Sequence, residues 1–550
     1  MHYLSTVKKI LLIIGCLQIS ACAVGPDFKK PGAPIADHWL NQNNSVVTNN
    51  KQVNYHDWWT IFDDPVLTNL VETAYRQNLN LHLAGLRILE ARAQLGIAQG
   101  TQYPQTQELN SNATYNTLSK NAANGAGADR RFWDFNVGFD AAWELDFWGR
   151  FRRGTESAQA NLGASITNYD DILVSLTAEV ATVYINLRIF QERLAIAETN
   201  VETQNRSYGI ADIRFRNGAV TELDPMQALT LLRNTEATIP ALETAIKQTR
   251  YALSTLLGLP PSNLENLLVG TKKIPVAPET VALGIPADLL LRRPDVRLSE
   301  LQAAAQSAKI GIAKSELFPR FILLGSVGMR SSDKGSFLSN GAHLGDLFSG
   351  SSFTWFVGPS VNWNILNYGR IRNDVRVQDA RFQQLIVNYQ NTILIAAREV
   401  ENGAAAFMGA QGEVKYLKES VQAAERAVEL AQIQYRDGAV NYTRILDTQE
   451  TLLRQQDTLT DRRGRINTSL ISVYKALGGG WQQRQGKAFV PATIQQEMRE
   501  RVDWGDFMSN DLSEDKVELP APASEQPLFP SILDFDISQW TSFISQHIGF

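Results

Sequence analysis

The chain has 550 residues, 44% hydrophobic and 20% charged, and carries 52 Lys and Arg against 57 Asp and Glu. Its formal charge of −5 provides no broad basic face, which argues against a nucleic-acid partner. The two cysteines, Cys16 and Cys22, both precede residue 23, and the six histidines (2, 38, 56, 82, 343, 547) show no ligand spacing, so no disulfide framework, metal site or cofactor is expected. There is also no nucleotide loop and no GxSxG, so the chain does not read as an enzyme.

Residues 1–21 read as a secretory signal. Lys8 and Lys9 form a basic start, and "ILLIIGCLQI" is an apolar core too short to span a bilayer comfortably. Ile19-Ser20-Ala21 places small residues just before Cys22, which resembles a bacterial lipobox. Cutting there would leave Cys22 as a lipidated N-terminus and a mature charge of −5 − 2 = −7. Ala23 follows, and the absence of an Asp there suits an outer-membrane destination. No later run of about 20 apolar residues suggests a transmembrane helix, so any membrane crossing would have to be a barrel.

Further along, the chain reads as two copies of one unit. "FNVGFDAAWELDFWGRFR" (135–152) matches "WFVGPSVNWNILNYGRIR" (355–372), "FRNGAV" (215–220) matches "YRDGAV" (435–440), and "LLG" (256–258) matches "ALG" (476–478). The offset is 220 each time. Upstream, "AQLGIAQGTQYPQ" (93–105) matches "AKIGIAKSELFPR" (308–320) at an offset of 215.

Each copy reads as a helix, then a strand, a loop and a strand, then long helices, with the paired strands expected at about 105–118 and 133–148 and at about 320–331 and 353–366. In Trp133–Trp148 the odd positions are almost all greasy, while the even ones include Asp134, Asp140, Glu144 and Asp146. Period-two alternation puts these sets on opposite faces of one strand. Runs of this length would span a bilayer when tilted. Four strands cannot close a barrel, so membranous strands would require oligomerisation.

Long helices come next. No proline occurs between Gly149-Arg150 and Pro225, and residues 155–216 keep a helical apolar pattern. The second copy does the same over 374–436. Gly218 and Gly438 suit the left-handed position that ends a helix, and Asp224-Pro225 reads as a cap followed by the first helical residue. Return helices at about 225–257 and 443–477 complete antiparallel hairpins.

Cys22 with "AVGPDFKKP", "WELDFWGR" with its echo "NWNILNYGR", the two "GAV" turns and "ILDTQETLL" together resemble the outer-membrane efflux family, TolC/OprM-like, in its lipoprotein (NodT-type) branch. The resemblance covers roughly residues 22–490. It implies an α+β membrane protein whose four strands per chain join a homotrimeric twelve-stranded barrel, continued by an α-helical periplasmic barrel. It implies an exit duct for small molecules such as drugs, lying in the outer membrane of a Gram-negative bacterium. Its partners would be outer-membrane lipid, a periplasmic adaptor and an inner-membrane pump of RND type.

The expected division is a signal peptide (1–21), a lipid-anchored extension (22–60), two repeats (61–270 and 271–485) and a partly disordered extension (486–550), in which "LPAPASEQPLFP" reads as a disordered or polyproline-II linker. The site residues implied are Cys22 for lipidation and Asp447 and Arg444 for a gate. The turns at Gly218, Ala219, Val220, Gly438, Ala439 and Val440 would dock the adaptor, and Gly149, Arg150, Gly369 and Arg370 would join strands to helices. A lipidated periplasmic coiled-coil adaptor and a structural envelope lipoprotein are the alternative readings.

Overall fold

The computed structural model describes residues 23–40, 47–48, 55–121, 129–270, 272–282, 290–334, 343–508 and 518–526. Helices α1 (Pro65–Gln77) and α2 (Leu79–Gly100) lead into strands β1 (Thr106–Thr117) and β2 (Arg131–Leu145). Helix α3 (Arg150–Arg216) and helix α4 (Leu223–Leu256) then form a hairpin. The pattern recurs as α5 (Pro294–Ser315), β3 (Arg320–Ser332), β4 (Phe353–Asn362), α6 (Arg370–Arg436) and α7 (Tyr442–Ala476). Helix α8 (Ala492–Arg501) lies beyond. Both α3 and α6 have 67 residues, and they start 370 − 150 = 220 residues apart.

The four long strands form one antiparallel sheet in the order β1-β2-β3-β4. Their register joins the alternating patterns into two continuous faces. Leu109 pairs with Phe139, Phe139 with Val327, and Val327 with Trp355. Glu108 pairs with Asp140 and Asp140 with Ser326 on the opposite side. The apolar face stays open in the single chain: Leu109 is 79% exposed, Trp355 66% and Val357 63%.

Two strands stop earlier than the alternation suggests. β2 ends at Leu145, not near 148, because the Asp146 carboxylate turns back to accept from the backbone N–H groups of Phe151 (3.0 Å) and Arg152 (2.9 Å). That caps the otherwise unbonded start of α3. β4 ends at Asn362, not near 366, because its partner strand begins at Arg320, opposite Asn362.

The helices pack into a body whose core lies where α1 and α2 meet the middle of α3, α6 and α7. Trp58 stacks on Tyr474 with centroids 5.6 Å apart, and Leu67, Leu70, Tyr184, Ile393 and Phe407 are fully buried. An arginine knot ties the start of α5 to α6 and α7 within the second unit. Arg293 reaches Asp295 (2.8 Å), Glu399 (2.8 Å) and the carbonyl of Ala476 (2.5 Å). One stretch of α3 is apolar and long enough to cross a membrane, contrary to the expectation from hydropathy, but most of it is buried among other helices. It is a core helix.

After α7 the chain turns across α2. The Phe489 carbonyl lies so close to Gly85 that a Cβ there would strike it. Further on, Phe507 packs against Gly96, and Ala523 is fully buried beside α3. Residues 518–526, which include most of the stretch expected to be a disordered or polyproline-II linker, are seated on the body, with the backbone of Ala523 hydrogen-bonded to α3. Gly85→Ala should lower the unfolding midpoint by the equivalent of about 1–3 kcal/mol, because the clash is with backbone. Gly100→Ala, where nothing lies within 4 Å, should not lower thermal melting and should raise it slightly, since it removes a helical glycine.

Candidate functional site

Two regions hold the residues singled out in the sequence. At the far end of the hairpins, α3 and α6 each stop at a glycine with positive φ, Gly218 at +71° and Gly438 at +77°. The closing bonds are the same in both. Gly218 N donates to Phe215 O (2.8 Å) and Ala219 N to Arg214 O (2.9 Å), while Gly438 N donates to Tyr435 O (3.0 Å) and Ala439 N to Gln434 O (2.9 Å). Ala219 and Ala439 are exposed, whereas Val220 and Val440 are half-buried. A side chain at either glycine would be strained regardless of space.

Beneath these turns lies a small buried cluster. Tyr435 and Tyr442 meet edge-on, 5.5 Å between centroids, among Ala211, Ala228, Ala431 and Ile445. The Tyr435 hydroxyl donates to Asp224 (3.0 Å). The Arg214 guanidinium sits 4.5 Å from the centre of the Tyr435 ring and donates to the Tyr435 carbonyl. Four helices are thereby joined by one latch. Burial, reinforced by the Asp224 carboxylate, pushes the Tyr435 hydroxyl up to about 12, so it remains a donor at neutral pH.

The expected capping role of Asp224 is corrected. Helix α4 begins at Leu223 with Glu222 at its cap position, Asp224 lies in the first turn, and its carboxylate is engaged by Tyr435. Arg444 and Asp447 lie nearly one turn apart on α7, both exposed. Among the described residues neither forms an ion pair within the chain.

The second region is the strand-to-helix junction. Gly149 (φ +76°) and Gly369 (φ +82°) precede α3 and α6. Arg150 reaches Glu144 (3.5 Å) and Glu316 (3.3 Å). Arg370 has no ion pair within the chain among the described residues. At Gly149 a Cβ would come within 2.7 Å of the Ala23 Cβ, because Val24 N donates to Trp148 O (3.0 Å) and lays the segment after residue 22 against the turn. Cys22 itself lies outside the described residues.

Buried charges hold that segment. Arg153 donates to Asp27 (2.8 Å) and Glu156 (2.8 Å), and Glu156 also accepts from the backbone of Ala523 (3.2 Å). Desolvation pushes the Glu156 carboxyl above the usual range, against the pull of Arg153. Arg152 bonds to Asp146 and to the carbonyls of Ala523 (3.2 Å) and Gln526 (3.1 Å).

Pattern reading missed Arg214, Tyr435 and Tyr442 at the tip and Asp27, Arg153 and Glu156 at the junction. One signal was present for the tip. At the 220-residue offset Tyr435 replaces Phe215 and Tyr442 replaces Glu222, so the second unit gains two aromatic hydroxyls where its counterpart has none.

The family model described as "Outer membrane efflux protein" matches residues 70–259 and 285–479. The chain is 29% identical to Nodulation protein T of Rhizobium leguminosarum bv. trifolii, over 80% of this chain and 91% of that protein. It is 29% identical to the Cation efflux system protein CusC of Escherichia coli O6:H1, over 86% of this chain and 99% of that protein. The solved outer-membrane channel OprN superposes with a TM-score of 0.77 at 29% identity, covering 84% of this chain and 100% of that one.

Tyr435→Phe should preserve the ring packing and remove the bond to Asp224, loosening the tip by about 1 kcal/mol. Amide hydrogen exchange should quicken across residues 431–446 and stay unchanged in the core around Trp58.

Proposed function

The chain belongs to the outer membrane efflux protein family, and on that premise we propose that it is the exit duct of a tripartite pump, a homotrimer pooling four strands per chain into a twelve-stranded barrel. It is an outer-membrane efflux channel. The observation that carries the trimer reading is the uncovered apolar face, which runs through the register of all four strands opposite a face bearing Glu108, Asp140 and Glu144. One face suits hydrocarbon and the other a water-filled lumen.

The remaining roles are argued from placement. Cys22 carries the lipid anchor, and Gly149, Arg150, Gly369 and Arg370 turn the barrel strands into the helical tunnel. The tips at Gly218, Ala219, Val220, Gly438, Ala439 and Val440 dock a periplasmic adaptor, itself joined to an inner-membrane pump of RND type. The conduit exports small molecules such as drugs. Asp447 lies near this tip, and threefold symmetry makes it a ring of three carboxylates that attracts cations and repels anions. Arg444 pairs with an acid on a neighbouring hairpin to hold the mouth shut.

The purified protein should migrate as a trimer that heat dissociates, and should conduct in planar bilayers. Monomeric behaviour without conductance would overturn the duct reading. Asp447→Ala in an assembled trimer should lower cation selectivity and weaken block by multivalent cations. Unaltered selectivity and block would remove the gate assignment. Cys22→Ser should abolish incorporation of radioactive palmitate, and continued labelling would place the anchor elsewhere.

A further inference from the structure

One position of the sheet breaks its alternation. On β4, Trp355, Phe356 and Val357 are three consecutive apolar residues. Successive side chains of a strand point to opposite faces. Trp355 pairs with Val327, on the apolar face, and Val357 shares that face. Phe356 therefore points the other way. It pairs with Ser326, Ser326 with Asp140, and Asp140 with Glu108, so Phe356 belongs to the face that bears the carboxylates. The residue is not packed into that face, being 58% exposed.

Two kinds of group surround it. Leu324 is the diagonal neighbour of Phe356 on β3, at a spacing that an aromatic side chain can reach, and Leu324 pairs in turn with Ala142 on β2. These three residues make an apolar strip across an otherwise polar face. On β2 the strip ends between two carboxylates, because Asp140 and Glu144 flank Ala142 on the same face. Asp140 is also directly opposite Glu108, and like charges in that position repel. Asn110 donates to Asp140, but neither Asp140 nor Glu108 forms an ion pair among the described residues. A cation beside the strip would offset that repulsion. On the proposed closure the strand next to β4 is a β1, which brings Glu108, Asn110, Asn112 and Thr114 to this face. All four are polar, so closing the barrel does not give the Phe356 ring an apolar seat.

We propose that Phe356, with Leu324 and Ala142, is the part of the lumen wall that takes the apolar body of passing cargo, and that Glu108 and Asp140 select organic cations among such molecules. The inference rests on the reading that this face lines the lumen of a trimeric barrel. The ring attracts a cation over its face in addition to the contact with an apolar body. Threefold symmetry repeats the strip three times around the lumen.

The test uses the full-length trimer in planar bilayers, with probes added on the outer side. Benzyltrimethylammonium should block the current, and benzenesulfonate should not. Phe356→Ser should raise the half-blocking concentration of benzyltrimethylammonium about fivefold, whereas Phe356→Tyr, which keeps the ring, should leave it unchanged. Glu108→Gln should also raise it. Asp447→Ala should not, because that residue lies at the far end of the hairpins. Accessibility gives an independent readout. On the proposed lipidation the mature chain has no other free thiol. In Phe356→Cys a cationic methanethiosulfonate should lower the current, and should outpace its anionic counterpart by more than it does on a free thiol. Val357→Cys, facing lipid, should stay unmodified. Unchanged block in Phe356→Ser or Glu108→Gln, equal block by benzenesulfonate, or no modification at position 356 overturns this inference in a trimer that conducts, and leaves the barrel reading intact. Absence of conductance in the unmodified trimer overturns the barrel reading, and this inference with it.

Discussion

A strand at the edge of a sheet exposes a row of backbone N–H and carbonyl groups, and in hydrocarbon each unpaired group costs several kcal/mol. β1 and β4 are such edges. The sheet they bound has one apolar face across all four strands, and on the proposed reading that side faces hydrocarbon. On the proposed reading only further copies of the chain can satisfy both demands. Their β1 edges pair with β4 edges until the sheet closes.

On the proposed reading the same constraint accounts for an asymmetry between the two units. Helix α3 is buried from its start, with Arg152, Arg153 and Glu156 enclosed by the segment after residue 22, by α5 and by residues 518–526. Helix α6, its counterpart in length, has only Ile371 buried before Tyr389. Two helices of equal length and related sequence thus meet different environments. The exposed first stretch of α6 follows β4, the edge strand at which the proposed neighbouring copy would pack.

At the opposite end the tip depends on pairings absent from the simple hairpin plan. Either hairpin could close on its own glycine turn. The Tyr435–Asp224 bond and the stacking of Arg214 on Tyr435 couple one hairpin to the other. A tip that carries a gate needs such coupling, because independent hairpins would splay separately. The buried hydroxyl supplies it without a buried ion pair, whose desolvation would offset much of its attraction.

Local periodicity was legible in the residues themselves. The alternation of Trp133 through Leu145, the proline-free run after Gly149 and the glycines at 218 and 438 each depend on neighbours within a few residues. Dihedral preference and face alternation act at that range. The proposed anchor signal around Cys22 is equally local, though Cys22 lies outside the described residues. Only the tertiary structure decided the contacts between distant residues. Tyr435 meets Asp224 from 211 residues away, and Glu156 holds the backbone of Ala523 from 367 residues away. The second case misled composition most. Pro, Ala, Ser and Glu read as an open linker because such side chains bury little apolar surface. The segment is seated instead through its backbone, and every sequence carries the same backbone groups, so the residue types alone gave no sign of it.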